Sequence, residues 1–274
     1  MNFDNEWVES TVVRSIRQIM SGGSMYPTPS VEFLGDGYPP LYFHVCATLA
    51  AIFGSPLFVA RSVSLVGTLL VAAALYKASS AKIGETTPDG FFRPDRLFPP
   101  LMFLSFYAAS GQVFDLARVD MMTIALSVWA ALLALRHDTH RSALLAGLLM
   151  ACAIMAKHNM LLIAAAIGLA VLVSNFKRSL TYGLATLLIP IAFFLQLNVR
   201  TDGWSNYHLF RQLANNEFGG QARWIRFFGE DISWHGVLLF VLLAAAFASI
   251  WKVSNKPERN KLIAPFIIAP ARSA

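Results

Sequence analysis

Residues 38–54 read "YPPLYFHVCATLAAIFG". The fold turns on whether this run crosses a membrane or lies along its surface. Its apolar part is about 14 residues, short of the roughly 17–20 that a membrane helix needs. Its aromatics, Tyr38, Tyr42 and Phe43, gather at the N-terminal end, where headgroup-level rings belong. We therefore read it as a helix in the membrane interface. Were it a span, the side assigned to every later connector would invert.

The rest of the chain makes the membrane question unavoidable. Of its 274 residues, 56% are hydrophobic, only 14% are charged, and mean hydropathy is +0.54. A soluble domain is nearer 45–50% apolar. The excess lies in long runs near 56–76, 97–114, 119–135, 142–156, 160–174, 179–197 and 234–251, with an eighth, incomplete run at 262–274. The expected fold is an all-α polytopic transmembrane bundle, 56–274, preceded by an external loop, 1–55, with amphipathic and interfacial helices. The two runs flanking "KHN" at 157–159 are short for spans.

The formal charge is +6. In a soluble protein that would raise the question of nucleic acid. Here Lys and Arg fall in short connectors, so topology accounts for them and no nucleic-acid partner is expected. Residues 78–96, 136–141, 175–178 and 252–261 carry the basic span flanks and are expected on the cytoplasmic side. Residues 1–55, 115–120, 157–159 and 198–233 then face outward. No cleavable signal peptide is visible. Cys46 and Cys152 sit in apolar runs, with neither disulfide nor zinc spacing.

The outward segments hold the polar residues that need a reason. The chain opens with "NFDNEWVES", acids at Asp4, Glu6 and Glu9. Residues 6–20 then form an amphipathic pattern, with Trp7, Val12, Ile16 and Ile19 on one face and Arg14 and Arg17 opposite. "SGGSMYPTPS" ends that helix.

These features, in this order, resemble the GT-C class of membrane glycosyltransferases, closest to the bacterial aminoarabinose transferases and protein O-mannosyltransferases. The resemblance rests on the acidic motif, the amphipathic helix, "YPPLY…FG" and "ARSVS" at the head of a span. It continues through "ARVDMMTIAL", "GLLMACAIMAKHNMLL" and "TDGWSNYHLF", covering nearly the whole chain. Such enzymes transfer a sugar from a polyprenyl-phosphate donor to a glycan, lipid or protein acceptor at the outer face of the cytoplasmic membrane. Family members carry a span before the acidic motif and further spans at the end, and this chain is expected to lack both. A basic residue that the aminoarabinose relatives place near "YPP" is unmatched.

The resemblance implies Asp4 or Glu6 as the base that takes the acceptor's proton, with Asp120 in support. Tyr38, Tyr42, Arg61, Asp115, Arg118 and Lys157 are the expected substrate-binding residues, the cations facing the leaving phosphate. Each has a plainer role available. Asp4, Glu6 and Asp120 can cap helices. Asp115 and Arg118 can pair with each other. Lys157 can extend to the headgroups. Arg61, four residues into a span, needs a partner or a phosphate. His137 and His140 lie in a basic loop. No metal constellation or cofactor motif is present; some relatives use a divalent ion, and the sequence leaves that open. A transporter or flippase is the alternative class, though no repeat relates the two halves. A catalytically inactive fragment is the third.

Overall fold

The computed structural model describes residues 7–30, 35–79, 96–108, 110 and 113–211. Asp4, Glu6, the runs at 234–251 and 262–274, and most of the loops at 78–96 and 198–233 lie outside the described residues. The chain divides into two compact units, 1–82 with 86–212 and 83–85 with 213–274. Everything described belongs to the first.

That unit is all-helical among the described residues. In order come α1 (Trp7–Met20), α2 (Leu41–Phe53), α3 (Pro56–Ala78), α4 (Phe98–Ser105), α5 (Asp120–Arg136), α6 (His140–Ala156), α7 (Met160–Ser174) and α8 (Phe176–Arg200). A three-residue turn of helix, Trp204–Asn206, and a π-helical turn, Tyr207–Arg211, follow. The starts are written locally. Ser55 accepts from Phe58 N with Pro56 next to it, Thr139 accepts from Ser142 N, and Asn175 accepts from Arg178 N. Three-residue connectors at 137–139 and 157–159, and the single residue 175, make α5 through α8 antiparallel neighbours.

Two glycines set how closely these helices pack. A Cβ at Gly67 would lie 2.7 Å from the Met121 carbonyl carbon, and one at Gly147 would lie 2.6 Å from Ala185 Cβ. Gly67 thus lets α3 sit against α5, and Gly147 lets α6 sit against α8.

Among the described residues two helices, α3 and α8, are long and apolar enough to cross a membrane. Helix α2 has 13 residues, about 20 Å at 1.5 Å per residue, below the roughly 30 Å of a bilayer core. It buries Tyr42, Phe43, Cys46 and Ala50 and leaves Ile52 and Phe53 about 70% exposed. The run at 97–114 departs from its expected single span, since α4 ends at Ser105 after eight residues. Ser105 Oγ turns back onto Met102 O, and Phe106 N and Tyr107 N bond carbonyls only three residues earlier. The chain tightens there instead of continuing as α-helix.

At the 136–140 end of the bundle, arginines close helix C-termini. Arg136 donates to Lys77 O (2.5 Å) and to Ala78 O. Arg178, 3% exposed, donates to Ala134 O, His137 O and Asp138 Oδ1. Cations suit this place, where unpaired carbonyls concentrate partial negative charge. Replacing Arg178 with Met, which nearly preserves its volume, should destabilise the chain by about 2–3 kcal/mol by leaving these carbonyls unpaired. Thermal unfolding of the purified variant measures this, and an unchanged midpoint would contradict it.

Candidate functional site

The polar residues of the other end gather on one short loop, 113–119, between α4 and α5. Three helix-borne groups hold that loop. Thr68 Oγ1 donates to Phe114 O (2.8 Å), Ser64 Oγ donates to Arg118 O (3.1 Å), and Ala117 N donates to Glu9 Oε1 (2.8 Å). Glu9 is fully buried, and it also takes a two-pronged contact from Arg61, Nε to Oε1 at 2.9 Å and Nη2 to Oε2 at 2.7 Å. One carboxylate therefore ties α1, α3 and the loop together.

The loop so fixed presents Arg118 and, one residue into α5, Asp120. Asp120 Oδ2 accepts from Arg118 Nε (3.1 Å) and Oδ1 accepts from Lys157 Nζ (2.6 Å). These three side chains are 18–24% exposed, so they form a half-sheltered mouth with two cations and one anion. Lys157 follows α6 directly, and its ammonium lies 5.6 Å from the centre of the Tyr38 ring, an attractive cation–π arrangement. Tyr38 is fixed from behind, as Tyr26 OH donates to its carbonyl at 2.6 Å.

Of the expected site residues, Asp120, Arg118, Lys157 and Tyr38 come together. Asp120 does not cap α5 with its side chain; it bridges the two cations instead. Three others stand elsewhere. Tyr42 is 0% exposed in the core, its hydroxyl 3.4 Å from Ala60 O, and has no access to a ligand. Arg61 is engaged by Glu9, which answers the need for a partner inside α3. Asp115 is exposed and accepts from Tyr107 OH (3.0 Å), not from Arg118. Asp4 and Glu6, outside the described residues, precede Glu9 by five and three positions.

Two features were missed by the sequence reading. Glu9 is the first. It shares a helix face with Val12, Val13 and Ile16, all buried, and an acid at that spacing on an apolar face signals a buried partner. The second is His158, beside Lys157. Its ring centre is 5.8 Å from that of Phe210, and its Nδ1 is buried without a partner among the described residues. Burial and the Lys157 charge lower its pKa, which favours the neutral ring.

The loop before α2 is locked by another buried acid. Asp36, 7% exposed, accepts from Ser15 Oγ at 3.2 Å. Burial raises its pKa above the usual 3.8, against the opposing pull of Ser15, nearby backbone amides and Arg14. A carboxyl whose folded pKa is raised stabilises the fold fully below its unfolded value and loses that contribution as pH rises through the folded one. The wild-type melting temperature should accordingly fall from pH 4 upward across that window, more than that of Asp36→Asn. Parallel pH curves for the two proteins would contradict this.

Among the described residues, no three His, Cys, Asp or Glu side chains come together as a metal site. No protein-family model, curated protein or solved structure matches this chain.

Proposed function

We propose that the chain is a polytopic membrane glycosyltransferase of the GT-C kind, transferring a sugar from a polyprenyl-phosphate donor to an acceptor hydroxyl. The reaction takes place at the outer face of the cytoplasmic membrane. The observation that carries this reading is the Arg118–Asp120–Lys157 mouth. Its three side chains sum formally to one positive charge, half-sheltered, and its Arg118 sits on a loop held by hydrogen bonds from α1 and α3. Such a site suits the negative charge that grows on a leaving phosphate.

The membrane part rests on surface and charge. Helices α7 and α8 present large apolar side chains outward, with Leu162 78%, Leu169 62%, Leu188 59% and Leu195 64% exposed. Exposed apolar faces on this scale mark contact with a partner or with lipid. Arg136 and Arg178 lie at one end of α5 and α8, and the Asp120 mouth lies at the opposite end of α5, about 24 Å away along 16 residues of helix. Basic connectors at one end agree with a cytoplasmic assignment there.

In the transfer, the acceptor oxygen bonds to the anomeric carbon while the bond from that carbon to the phosphate oxygen breaks. The acceptor's proton passes to a carboxylate, and the electron pair leaves with the lipid phosphate towards Arg118 and Lys157. Asp120 fixes both cations and is committed to them, so the base is assigned to Asp4 or Glu6.

The test uses a polyprenyl-phosphate sugar donor and the full chain in lipid. Asp4→Asn keeps most of any capping ability but removes the base. Asp4→Asn or Glu6→Gln should lower turnover by about two orders of magnitude with expression unchanged. If both keep near-normal turnover, the acids are structural and the assignment of the base fails.

Topology is tested by thiol labelling in a background lacking Cys46 and Cys152. Outside reagent should reach Asn159→Cys and miss Asp138→Cys. The reverse pattern would invert the orientation.

A further inference from the structure

Helix α8 ends in a turn that encloses a cavity. Gly203 adopts the left-handed region (φ +84°), and its N–H donates back to Asn198 O at 2.9 Å. The turns after it, Trp204–Asn206 and Tyr207–Arg211, share a cavity of about 400 Å³ with α8. Its walls include Ile191, Leu195 and Asn198 from α8, and Ser205, Asn206 and Phe210 from the turns. Ile191, Leu195 and Asn198 are four and then three positions apart, so they share one face of the helix. Over about 10 Å that face passes from hydrocarbon to amide.

We infer that this cavity binds the head of a neutral, hydroxyl-bearing lipid, one hydroxyl donating to Asn198 Oδ1 and an acyl chain leaving past Leu195 and Ile191. The inference rests on the membrane part of the proposed function and not on its transfer chemistry. Asn198 Oδ1 is buried and has no hydrogen-bond partner among the described residues. A buried carbonyl oxygen in that state calls for a donor. None of the described lining residues is charged; Arg200 and Arg211 flank the cavity in sequence but do not line it. A phosphate would find no cation there, so the ligand is neutral and differs from the donor proposed for the mouth. A hydroxyl is the hydrogen-bond donor that an uncharged lipid head carries. Exposure sets the direction of the chain, since Ile191 is 52% and Leu195 64% exposed on the outward apolar side of α8. Asn198 lies two residues before the end of α8, which is headgroup level on the membrane reading. Phe210 lines the cavity, and its ring lies 5.8 Å from that of His158, the residue after Lys157, so the cavity is at the same end of the bundle as the mouth.

The experiment reconstitutes the full chain in phosphatidylcholine vesicles containing glucosyl diacylglycerol. It then extracts the chain in mild detergent and counts retained lipid by native mass spectrometry. Phosphatidylcholine has no hydrogen-bond donor in its head, so it serves as the reference. The wild type should keep glucosyl diacylglycerol in preference to it. Asn198→Leu, similar in size but without the acceptor, should reduce that retention about tenfold, the effect of one sheltered hydrogen bond. Its unfolding midpoint should match or exceed that of the wild type, because it removes a buried unpaired group; a purely structural asparagine would give a lower one. Leu195→Trp, which fills the cavity from an exposed position, should reduce retention too. Leu188→Trp, exposed on α8 but outside the cavity, should leave it unchanged.

Equal retention of the two lipids would overturn the inference, as would an Asn198→Leu or Leu195→Trp chain that retains as much as wild type. A Leu188→Trp chain that loses as much as Leu195→Trp would overturn it too, by reducing the effect to lipid held anywhere on α8. A chain that inserts but keeps no glucosyl diacylglycerol sinks this inference only. A chain that never enters the vesicles sinks the membrane reading as well.

Discussion

Glu9→Ala should cost the fold about 3 kcal/mol, the largest single stability effect expected here. The carboxylate is fully buried and accepts from Arg61 twice and from Ala117 N once. Removing one partner of such a pair typically costs 3–5 kcal/mol, because the other charge stays behind unpaired. Arg61 is 28% exposed, so water relieves part of that cost, and the lower end applies. Glu9→Gln keeps the shape and one acceptor and should cost roughly half as much. Thermal unfolding of the three purified proteins in the same detergent gives the comparison. A Glu9→Ala midpoint equal to wild type would mean that the tie between α1, α3 and loop 113–119 carries no stability.

Asp120→Asn should lower turnover about a hundredfold, with a loss of thermal stability smaller than that of Glu9→Ala because the amide keeps the shape and one acceptor. The amide retains the shape but gives up the charge that aligns Arg118 and Lys157. Loss of one preorganised electrostatic partner commonly costs 10²–10³ in kcat. The effect should appear mainly in kcat, since the cations serve charge that develops in the transition state. Lys157→Arg should keep more activity than Lys157→Ala, because it restores a cation next to Asp120. If Asp120→Asn raises only KM, the triad binds the donor but does not assist its departure. If neither parameter moves, the mouth is structural.

What could be read from the chain, and what could not, divides along sequence distance. Helical class followed from apolar runs, whereas the caps at Ser55, Thr139 and Asn175, though local signals, came from the structure and were not read from the sequence. The amphipathic face of α1 came out as expected, with Val12 and Ile16 buried and Arg14 and Arg17 exposed. The short α2 followed from counting apolar residues.

Partners were a different matter. Glu9 meets Arg61 across 52 positions and Ala117 across 108, separations that no local pattern reports. Arg61 therefore looked like a ligand contact when it is half of a buried ion pair. Arg178 was read only as part of the basic span flank at 175–178. Yet it lies one turn before buried Tyr182, and its guanidinium closes the end of α5. Tyr42 belonged to an aromatic group read as facing headgroups, and the helix turns it into the core instead. The run at 97–114 failed for a related reason. Hydropathy counts apolar residues without registering that the Ser105–Tyr107 turn ends the helix.

The central claim is that the Arg118–Asp120–Lys157 mouth serves a sugar carried on a polyprenyl phosphate. It is tested most directly by purifying the full chain from membranes with its native lipids and identifying the bound amphiphiles by mass spectrometry. The account predicts a polyprenyl-phosphate sugar that co-purifies with the wild type and is depleted in a chain carrying both Arg118→Ala and Lys157→Ala. Wild-type chain that inserts in the membrane but carries no polyprenyl-phosphate species, or a double variant that retains it undiminished, would contradict the account.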